Sequence, residues 1–175
     1  MTTPDPVREA RAYQEMLFAA LDHDDPADAQ ASTPARISRL IETAGADLRT
    51  RPEPTEWSVL ECIGHVTDAE TVMSARYRWV LAHDEPELIG YDQDLWVDGL
   101  RHNGDEPSDL VALFEAQRAA NVALWRRSSP AERARVGIHR ERGRESYEMM
   151  FRMLAGHDRV HLDQADRALA AVRQR

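Results

Sequence analysis

The sequence predicts an all-α protein built as a helical bundle. Apolar residues recur at helical spacing in several long segments, capping signals precede two of these, and no segment alternates apolar and polar residues as a half-buried strand does. Segments of this kind suit a helical bundle, in which each buries its apolar face against the others. All 175 residues are interpreted as one domain, with the N-terminal helix and a linker over 1–32 and the bundle over 33–172.

Proline and apolar spacing place the first two helices. Residues 1–23 form an amphipathic helix with Pro6 in its first turn, and residues 22–32 form a polar linker. Thr33 and Pro34 then predict the start of the second helix, as an N-cap followed by a first-turn proline. This helix ends before the break at residues 51–54.

A capping box predicts where the third helix begins. Ser58 and Glu61 have the Ser-x-x-Glu spacing that satisfies two backbone donors reciprocally, so the helix runs from there to about Ala82. Residues 83–107 then show no helical period and are rich in acids, which predicts a long crossover. Loops of this length inside a compact domain usually have a function.

The last two long helices follow the crossover. The fourth helix begins at Ser108 or Asp109 and ends near Ser128, and its last part is followed by a short turn at 130–135 and a loop over 137–143. The final helix is predicted to run from about Glu145 or Ser146 to Val172, and no sheet is expected. The residues expected to face inward on the fourth helix are Leu110, Leu113, Phe114, Gln117, Ala120 and Leu124.

Connection lengths predict how these helices run. The short loop between the helices at 33–49 and 58–82 makes them antiparallel neighbours. The crossover is long enough to return the full length of a helix, so the helices at 58–82 and 108–128 can be parallel. The final helix is then antiparallel to both.

Three histidines predict a metal site. His157 and His161 are four residues apart, which puts both imidazoles on one face of the last helix. His65 lies in the second turn of the third helix, and the helical rise brings it to a similar height in the bundle. Three imidazoles can hold a divalent ion and leave positions open for water. The alternatives are a pair that fills a helix face and a core histidine bonded to a carbonyl.

Several neighbours could support this site. Cys62, which precedes His65 on the same face, is either a fourth ligand or a small buried apolar residue. Asp68, Asp158 and Gln164 are candidates to orient the imidazoles, although the two aspartates are equally explained as surface charges.

Other residues are weaker candidates for a role at the site. His102 is a candidate general acid or base, with an exposed loop histidine as the alternative, and His139 is expected at the other end of the bundle. Trp57 is expected to pack at the entrance of the third helix rather than to bind substrate. Tyr91 and Trp96 are expected either to form a lid or to cover the crossover.

Three segments resemble the DinB/YfiT-like family of helical-bundle proteins. They are residues 56–65 (EWSVLECIGH) with 68–70 (DAE), 90–96 (GYDQDLW) and 156–164 (GHDRVHLDQ). The resemblance covers most of the chain from Thr33 to Leu169. It implies a four-helix bundle with an up-down-down-up course and a long crossover between the second and third bundle helices. It also implies a site for zinc, nickel or a similar divalent ion at His65, His157 and His161. Some members of that family are transferases or isomerases that use low-molecular-weight thiols, and many have no known activity.

Composition limits the partners. The net charge of −9 argues against nucleic acid and anionic membranes. No apolar run is long enough to span a bilayer, no signal-peptide pattern opens the chain, and a lone cysteine fits a reducing compartment, so a cytoplasmic location is expected.

The sequence is compatible with three functional hypotheses. The first is a metal-dependent enzyme that activates water or a low-molecular-weight thiol, either a hydrolase or a thiol transferase acting on a small molecule. The second is a non-catalytic metal-binding bundle with a stress-response or interaction role. The third is a vestigial site in a homodimer whose interface uses Val7, Tyr13 and Leu17, which could equally pack on their own bundle.

Overall fold

The computed structural model describes Pro4 and residues 8–175, and within that part of the chain it has seven helices and three short strands. The helices are α1 (Ala10–Leu21), α2 (Pro26–Ala44), α3 (Val59–Ala82), α4 (Gln93–Leu100), α5 (Pro107–Arg127), α6 (Pro130–Arg133) and α7 (Tyr147–Arg173). The strands are β1 (Glu87–Leu88), β2 (Val136–His139) and β3 (Gly143–Ser146), and 3-10 turns occupy Gly45–Arg49 and His102–Gly104.

Four long helices, α2, α3, α5 and α7, form the bundle. Helix α3 packs chiefly against α7 and α5, and α2 packs chiefly against the same two helices. Helices α2 and α3 therefore face each other across the diagonal, and the expectation that they are adjacent neighbours is wrong. The connection over residues 45–58, with its 3-10 turn, is long enough to cross that diagonal.

Hydrogen bonds between the helices give their directions. Glu70 and Ser74 of α3 accept from Arg118 and Asn121 of α5 respectively, so residue numbers rise together and the two helices are parallel. The ring of Tyr77 packs 5.0 Å from that of Tyr147, near the start of α7, while His65 lies next to the histidines further along α7. Helix α7 is therefore antiparallel to α3.

The course of the bundle is completed by α2. Gln30 of α2 donates to the carbonyl of Phe151, and Arg36 pairs with Asp166, so α2 and α7 are parallel. The four helices therefore run up, down, down and up in chain order. The crossover between α3 and α5 makes this course feasible because it returns the chain to the starting end.

The beginning of α2 differs from the prediction. The helix begins at Pro26, and the side chain of Asp25 caps it by accepting from the backbone amides of Ala27 and Asp28. Residues 26–32, expected to be a linker, are helical because Asp25 and Pro26 are themselves a cap and a first-turn proline. Thr33, the expected cap, instead lies inside the helix.

Pro34 also lies inside α2, where it cannot donate a hydrogen bond to the carbonyl of Gln30. The guanidinium of Arg118 on α5 fills this gap, because its Nη1 donates to the Gln30 oxygen at 3.1 Å. A side chain from a neighbouring helix thus satisfies the acceptor that the proline leaves without a backbone donor.

A small sheet lies where none was expected. Strands β2 and β3 form an antiparallel hairpin over the predicted loop at 137–143, and β1 pairs with β2 in parallel, with Glu87 opposite Ile138. The strands are too short for apolar alternation to show in the sequence. The crossover is also more regular than predicted, since it contains β1 and α4, and Asp92 caps α4.

The capping box of α3 is confirmed: Ser58 and Glu61 exchange both hydrogen bonds.

The inward face predicted for α5 is partly wrong. Leu113 is 47% exposed and Ala120 is exposed, whereas Arg118 and Asn121 are buried. Because the buried side of α5 includes polar residues that meet carboxylates, apolar spacing alone placed that face incorrectly.

Helix α1 packs against α7 of its own bundle. Tyr13 and Leu17 are buried with Met153, and Gly156 allows the close approach, because a Cβ there would lie 1.9 Å from the carbonyl oxygen of Leu17. The apolar face considered for a homodimer is therefore covered within the chain, and Val7 and Pro6 lie outside the described residues. In the part of the chain described, no helix has the length and apolar character needed to cross a membrane.

Candidate metal centre

Three buried histidines lie together between α3 and α7. Each of His65, His157 and His161 offers a ring nitrogen, and these atoms all lie within 4.8 Å of one another. The Nε2 atoms of His65 and His157 are 3.0 Å apart. The antiparallel packing of α3 and α7 brings the second turn of α3 to the middle of α7, which produces this convergence. We call these three residues the histidine cluster.

The hydrogen bonds of the cluster leave nitrogen atoms unused. Nδ1 of His161 lies 2.9 Å from Oε1 of Gln164, so the amide oxygen accepts from an Nδ1–H and the lone pair is left on Nε2. That Nε2 is buried and has no partner among the described residues, and the same is true of Nδ1 of His65 and of His157. Buried polar atoms without a partner are costly, so each calls for an explanation.

Burial keeps the cluster neutral. It lowers the pKa of His157 to about 3, with a further contribution from the charge of Arg118. Burial also lowers the pKa of His65 and of His161, and the neighbouring histidines add to the effect. Neutral imidazole is the form that binds metal ions, so the burial of these histidines favours metal binding.

Trp57 covers one side of the cluster. Its ring lies 5.0 Å from that of His65 and stacks at 6.0 Å on that of His161. From the sequence, Trp57 is expected only to pack at the entrance of the third helix. Because Trp57 immediately precedes the capping box, the same local signal that starts α3 also places an aromatic wall on the histidines.

Of the three residues expected to orient the imidazoles, only Gln164 contacts the cluster through the described hydrogen bonds. Asp158 is buried, and its Oδ2 accepts from Arg118 at 2.5 Å and from Thr33 at 2.9 Å. Asp68 accepts from His102. Neither aspartate is an ordinary surface charge, and each instead holds a different buried side chain.

Cys62 lies outside the cluster. Its thiol is fully buried in the apolar core around α3, and burial raises its pKa to about 12. A thiol in this environment stays protonated at neutral pH. Of the two interpretations of Cys62, a fourth ligand or a small buried apolar residue, the second fits the structure.

His102 is not an exposed loop histidine, because only 4% of it is accessible. Its Nε2 and Nδ1 lie 2.8 Å from carboxylate oxygens of Asp68 and Asp105 respectively, and these bonds raise its pKa against the opposing effect of burial. The ring packs on Gly64, where a Cβ would lie 2.3 Å from it. With both nitrogens engaged, His102 fastens the end of the crossover to α3.

A second buried polar group lies beside the cluster. Arg118 is 1% exposed and pairs with two buried carboxylates, those of Glu70 and Asp158. Burial acts to lower the pKa of Arg118, but the two carboxylates outweigh it and the pKa is raised. The sequence contains a signal for this group, because Glu70 and Arg118 fall at helical spacing from the buried apolar residues of α3 and α5.

A cavity of about 530 Å³ reaches the cluster at His157. Its walls come from α1, α3, α7, the crossover and the β2–β3 hairpin. His139, expected at the opposite end of the bundle, lines this cavity, as does Tyr91, whose ring packs 4.6 Å from that of Trp96. The hairpin was not predicted, but the expected end of the bundle is confirmed, because Nε2 of His139 lies 3.3 Å from Nη2 of Arg76 near the C-terminal end of α3, away from the cluster. The volume lies in the range typical of small-molecule sites.

Comparison with known proteins places this arrangement in a family. The sequence model of the DinB superfamily matches residues 27–165. A 4-hydroxy-tetrahydrodipicolinate reductase from Streptomyces griseus is 30% identical over 110 residues, which make up 61% of this chain and 44% of that protein. The chain thus spans less than half the length of that relative.

YfiT from Bacillus subtilis has a similar structure, with a TM-score of 0.73 and 16% sequence identity over 99% of this chain and 93% of that chain. It is described as a probable metal-dependent hydrolase with an unusual four-helix bundle topology. At this identity the likeness establishes the shared fold. With the sequence model matched over most of its length, the chain belongs to the DinB superfamily.

Proposed function

We propose that His65, His157 and His161 bind a divalent metal ion, zinc or nickel, and that the protein is a metal-dependent enzyme acting on a small molecule. The observation that carries the proposal is the histidine cluster itself: three buried, neutral imidazoles with unused nitrogens, one of which, His157, lines a cavity. Imidazole suits both zinc and nickel. Metal binding would satisfy the Nε2 of His161, which has no partner in the described part of the chain.

The residues around the cluster have separate tasks in this proposal. Gln164 fixes the tautomer of His161, Trp57 excludes water from one side, and His157 faces the cavity from which a substrate arrives. A divalent ion held by three neutral ligands supplies a Lewis acid with open positions, at which a water or a thiol becomes more acidic. Hydrolysis and thiol transfer both use this property.

Two observations favour an enzyme over a non-catalytic metal-binding bundle. Cys62 does not close the site as a fourth ligand, and a cavity reaches one of the three histidines. A structural metal site is normally saturated by protein ligands. The stress-response or interaction bundle therefore remains the second candidate, favoured only if the site proves inert.

The reductase activity named for the Streptomyces relative is not part of this proposal. The eight glycines of this chain never fall two residues apart, so the chain lacks the Gly-x-Gly core of a dinucleotide-binding loop. The chain matches less than half of that protein.

A cytoplasmic location and a low-molecular-weight thiol as co-substrate belong to the same proposal. The location is supported by the lone buried cysteine, and the thiol by the resemblance of the cluster segments to a family in which some members use such thiols. The proposed chemistry does not involve nucleic acid as a partner.

Elemental analysis of the purified protein tests the metal site. We expect about one equivalent of zinc or nickel in the unmodified protein and its loss in His65→Ala and His161→Ala, with circular dichroism as the check on folding. His23→Ala is the matched control, because the His23 side chain is fully exposed. Unchanged metal content in either cluster variant would overturn the assignment.

Chelation separates the catalytic role from the structural one. If the protein is an enzyme, removing the metal abolishes ester hydrolysis or thiol conjugation in a substrate screen while the far-ultraviolet spectrum stays helical. Loss of helical signal on chelation, together with no turnover by the metal-loaded protein, would favour the non-catalytic bundle.

A further inference from the structure

Arg76 is a buried cation in the wall of the cavity. It is 3% exposed, and it lies on α3 between the buried residues Met73 and Val80. Its Nη2 donates to the carbonyl of Ile89 and lies 3.3 Å from Nε2 of His139. Its Nε is buried without a partner among the described residues. The guanidinium thus contacts a carbonyl, an imidazole and a thioether, none of which carries a negative charge.

The other enclosed arginines near this site are neutralised. Arg118 pairs with Glu70 and Asp158, and Arg142, which also lines the cavity, donates to both carboxylate oxygens of Glu145. Burial lowers the pKa of Arg76, the nearby charge of Arg142 adds to this, and Glu145, which is bonded to Arg142 rather than to Arg76, opposes it only in part. A buried charge without a counter-ion is costly, so its retention next to an open cavity indicates a ligand that supplies the charge.

The acids that line the cavity do not take this role. Glu141 is engaged by His139, whose Nδ1 lies 3.0 Å from its Oε2. Asp92 caps α4, and both Asp92 and Asp94 are exposed to solvent, which screens their charges. An incoming anion would therefore meet the Arg76 guanidinium without displacing a carboxylate from it.

Arg76 and the histidine cluster lie at two ends of one surface. Arg76 follows His65 by eleven residues, which is about three helical turns, so both lie on the same face of α3 with roughly 16 Å of rise between their backbones. The cavity between them has apolar walls from Val72, Met73, Met153 and Leu154.

We propose that this cavity takes an elongated small molecule with an apolar body and an anionic group, a carboxylate or a phosphate, which pairs with Arg76. The reacting end of the molecule then lies at the histidine cluster, and this second part rests on the proposed function. A planar guanidinium suits charge-assisted hydrogen bonding to either anion. Arg76 thus sets which substrates are accepted.

Isothermal titration of the purified protein with three matched probes tests the proposal. The probes are 4-phenylbutyrate, its neutral amide, and 3-phenylpropyl phosphate. We expect one or both anions to bind at least tenfold more tightly than the amide, which also identifies the preferred anion. If the amide binds to the unmodified protein as tightly as both anions, the proposal is overturned without any variant.

Variants assign the effect to Arg76. Arg76→Met keeps the apolar stem and should lower anion affinity to that of the amide, while Arg76→Lys should retain part of the preference because it keeps the charge. Arg140→Met is the matched control, because Arg140 is 77% exposed in its side chain and belongs to the nearby hairpin. Unchanged anion affinity in folded Arg76→Met would refute the assignment.

A carboxylate could also bind directly to a metal ion, so the titrations are repeated with His161→Ala and with chelated protein. We expect anion binding to survive in both. Anion binding that is lost in His161→Ala but kept in Arg76→Met would assign the anion to the cluster and reject Arg76. Because this readout does not require metal, failure of the metal assignment and failure of the anion site give different results.

Discussion

Nδ1 of His161 and Oε1 of Gln164 lie 2.9 Å apart on successive turns of α7. This contact fixes the ring of His161 and leaves its Nε2, which has no partner among the described residues, free to bind a metal ion. A residue outside the cluster therefore decides which nitrogen is available. This relationship leads to the first prediction.

Gln164→Leu should weaken metal binding by about 10- to 100-fold without removing any of the three histidines, because the ring of His161 loses its orienting acceptor. Competition with a chromogenic chelator measures the affinity. Gln174→Leu, near the exposed end of α7, is the control and should leave the affinity unchanged. Equal affinities for both variants would show that Gln164 does not orient the ligand.

Gly156→Ala should displace α1. The new methyl group would lie 1.9 Å from the carbonyl oxygen of Leu17, and a backbone atom has little freedom to move away. We expect a loss of about 1–3 kcal/mol in the free energy of unfolding, measured with denaturant, and faster proteolysis within α1. Gly99→Ala in α4 is the control, because a Cβ there meets no atom within 4 Å. The same stability for both variants would contradict the close contact.

Arg118→Met should destabilise the protein strongly. It leaves the buried carboxylates of Glu70 and Asp158 without their counter-ion, and breaking a buried ion pair in this way costs about 3–5 kcal/mol. Arg126→Met, on the same helix, breaks only an exposed pair with Asp28 and should cost less than about 1 kcal/mol. Thermal and denaturant unfolding compare the two, and a small effect at Arg118 would contradict the prediction.

His139 should make the fold sensitive to acid. Burial first, and then the charge of Arg142, lower its pKa to about 4, against a partial opposing effect of Glu145. The unfolded chain takes up the proton near pH 6.5, so acid favours unfolding and the contribution of neutral His139 to stability is lost as pH falls from about 6.5 to 4. His139→Gln should show a weaker dependence over that window than the unmodified protein. If the free energy of unfolding of both proteins changes equally with pH, His139 binds protons equally in the folded and unfolded states, which would contradict the prediction.

Local signals explain what the sequence predicted well. The capping box of Ser58 and Glu61 acts within one turn, so the start of α3 was predictable without knowledge of the fold. The i, i+4 spacing of His157 and His161 depends only on helical geometry, and the height of His65 followed from the helical rise. The crossover length allowed α3 and α5 to be parallel, as their hydrogen bonds show.

Features that depend on distant residues were not predictable in the same way. Asp25-Pro26 and Thr33-Pro34 are both good helix starts. The helix begins at the first and continues through the second, where Arg118 of α5 bonds the Gln30 oxygen that Pro34 leaves without a backbone donor. His102 is buried only because Gly64 leaves room for its ring. The hairpin strands are short and depend on the pairing of β1 with β2, which no local pattern indicates.

The proline inside α2 has a consequence for how this chain can change over time. Because the oxygen of Gln30 receives its hydrogen bond from Arg118, an arginine in the middle of the bundle completes a backbone that an imino acid interrupts. An alanine at position 34 would bring its own amide to the same oxygen and make that contribution redundant. Substitution at either position thus alters the selective value of the other, and the two sites are expected to diverge together in descendants of this chain.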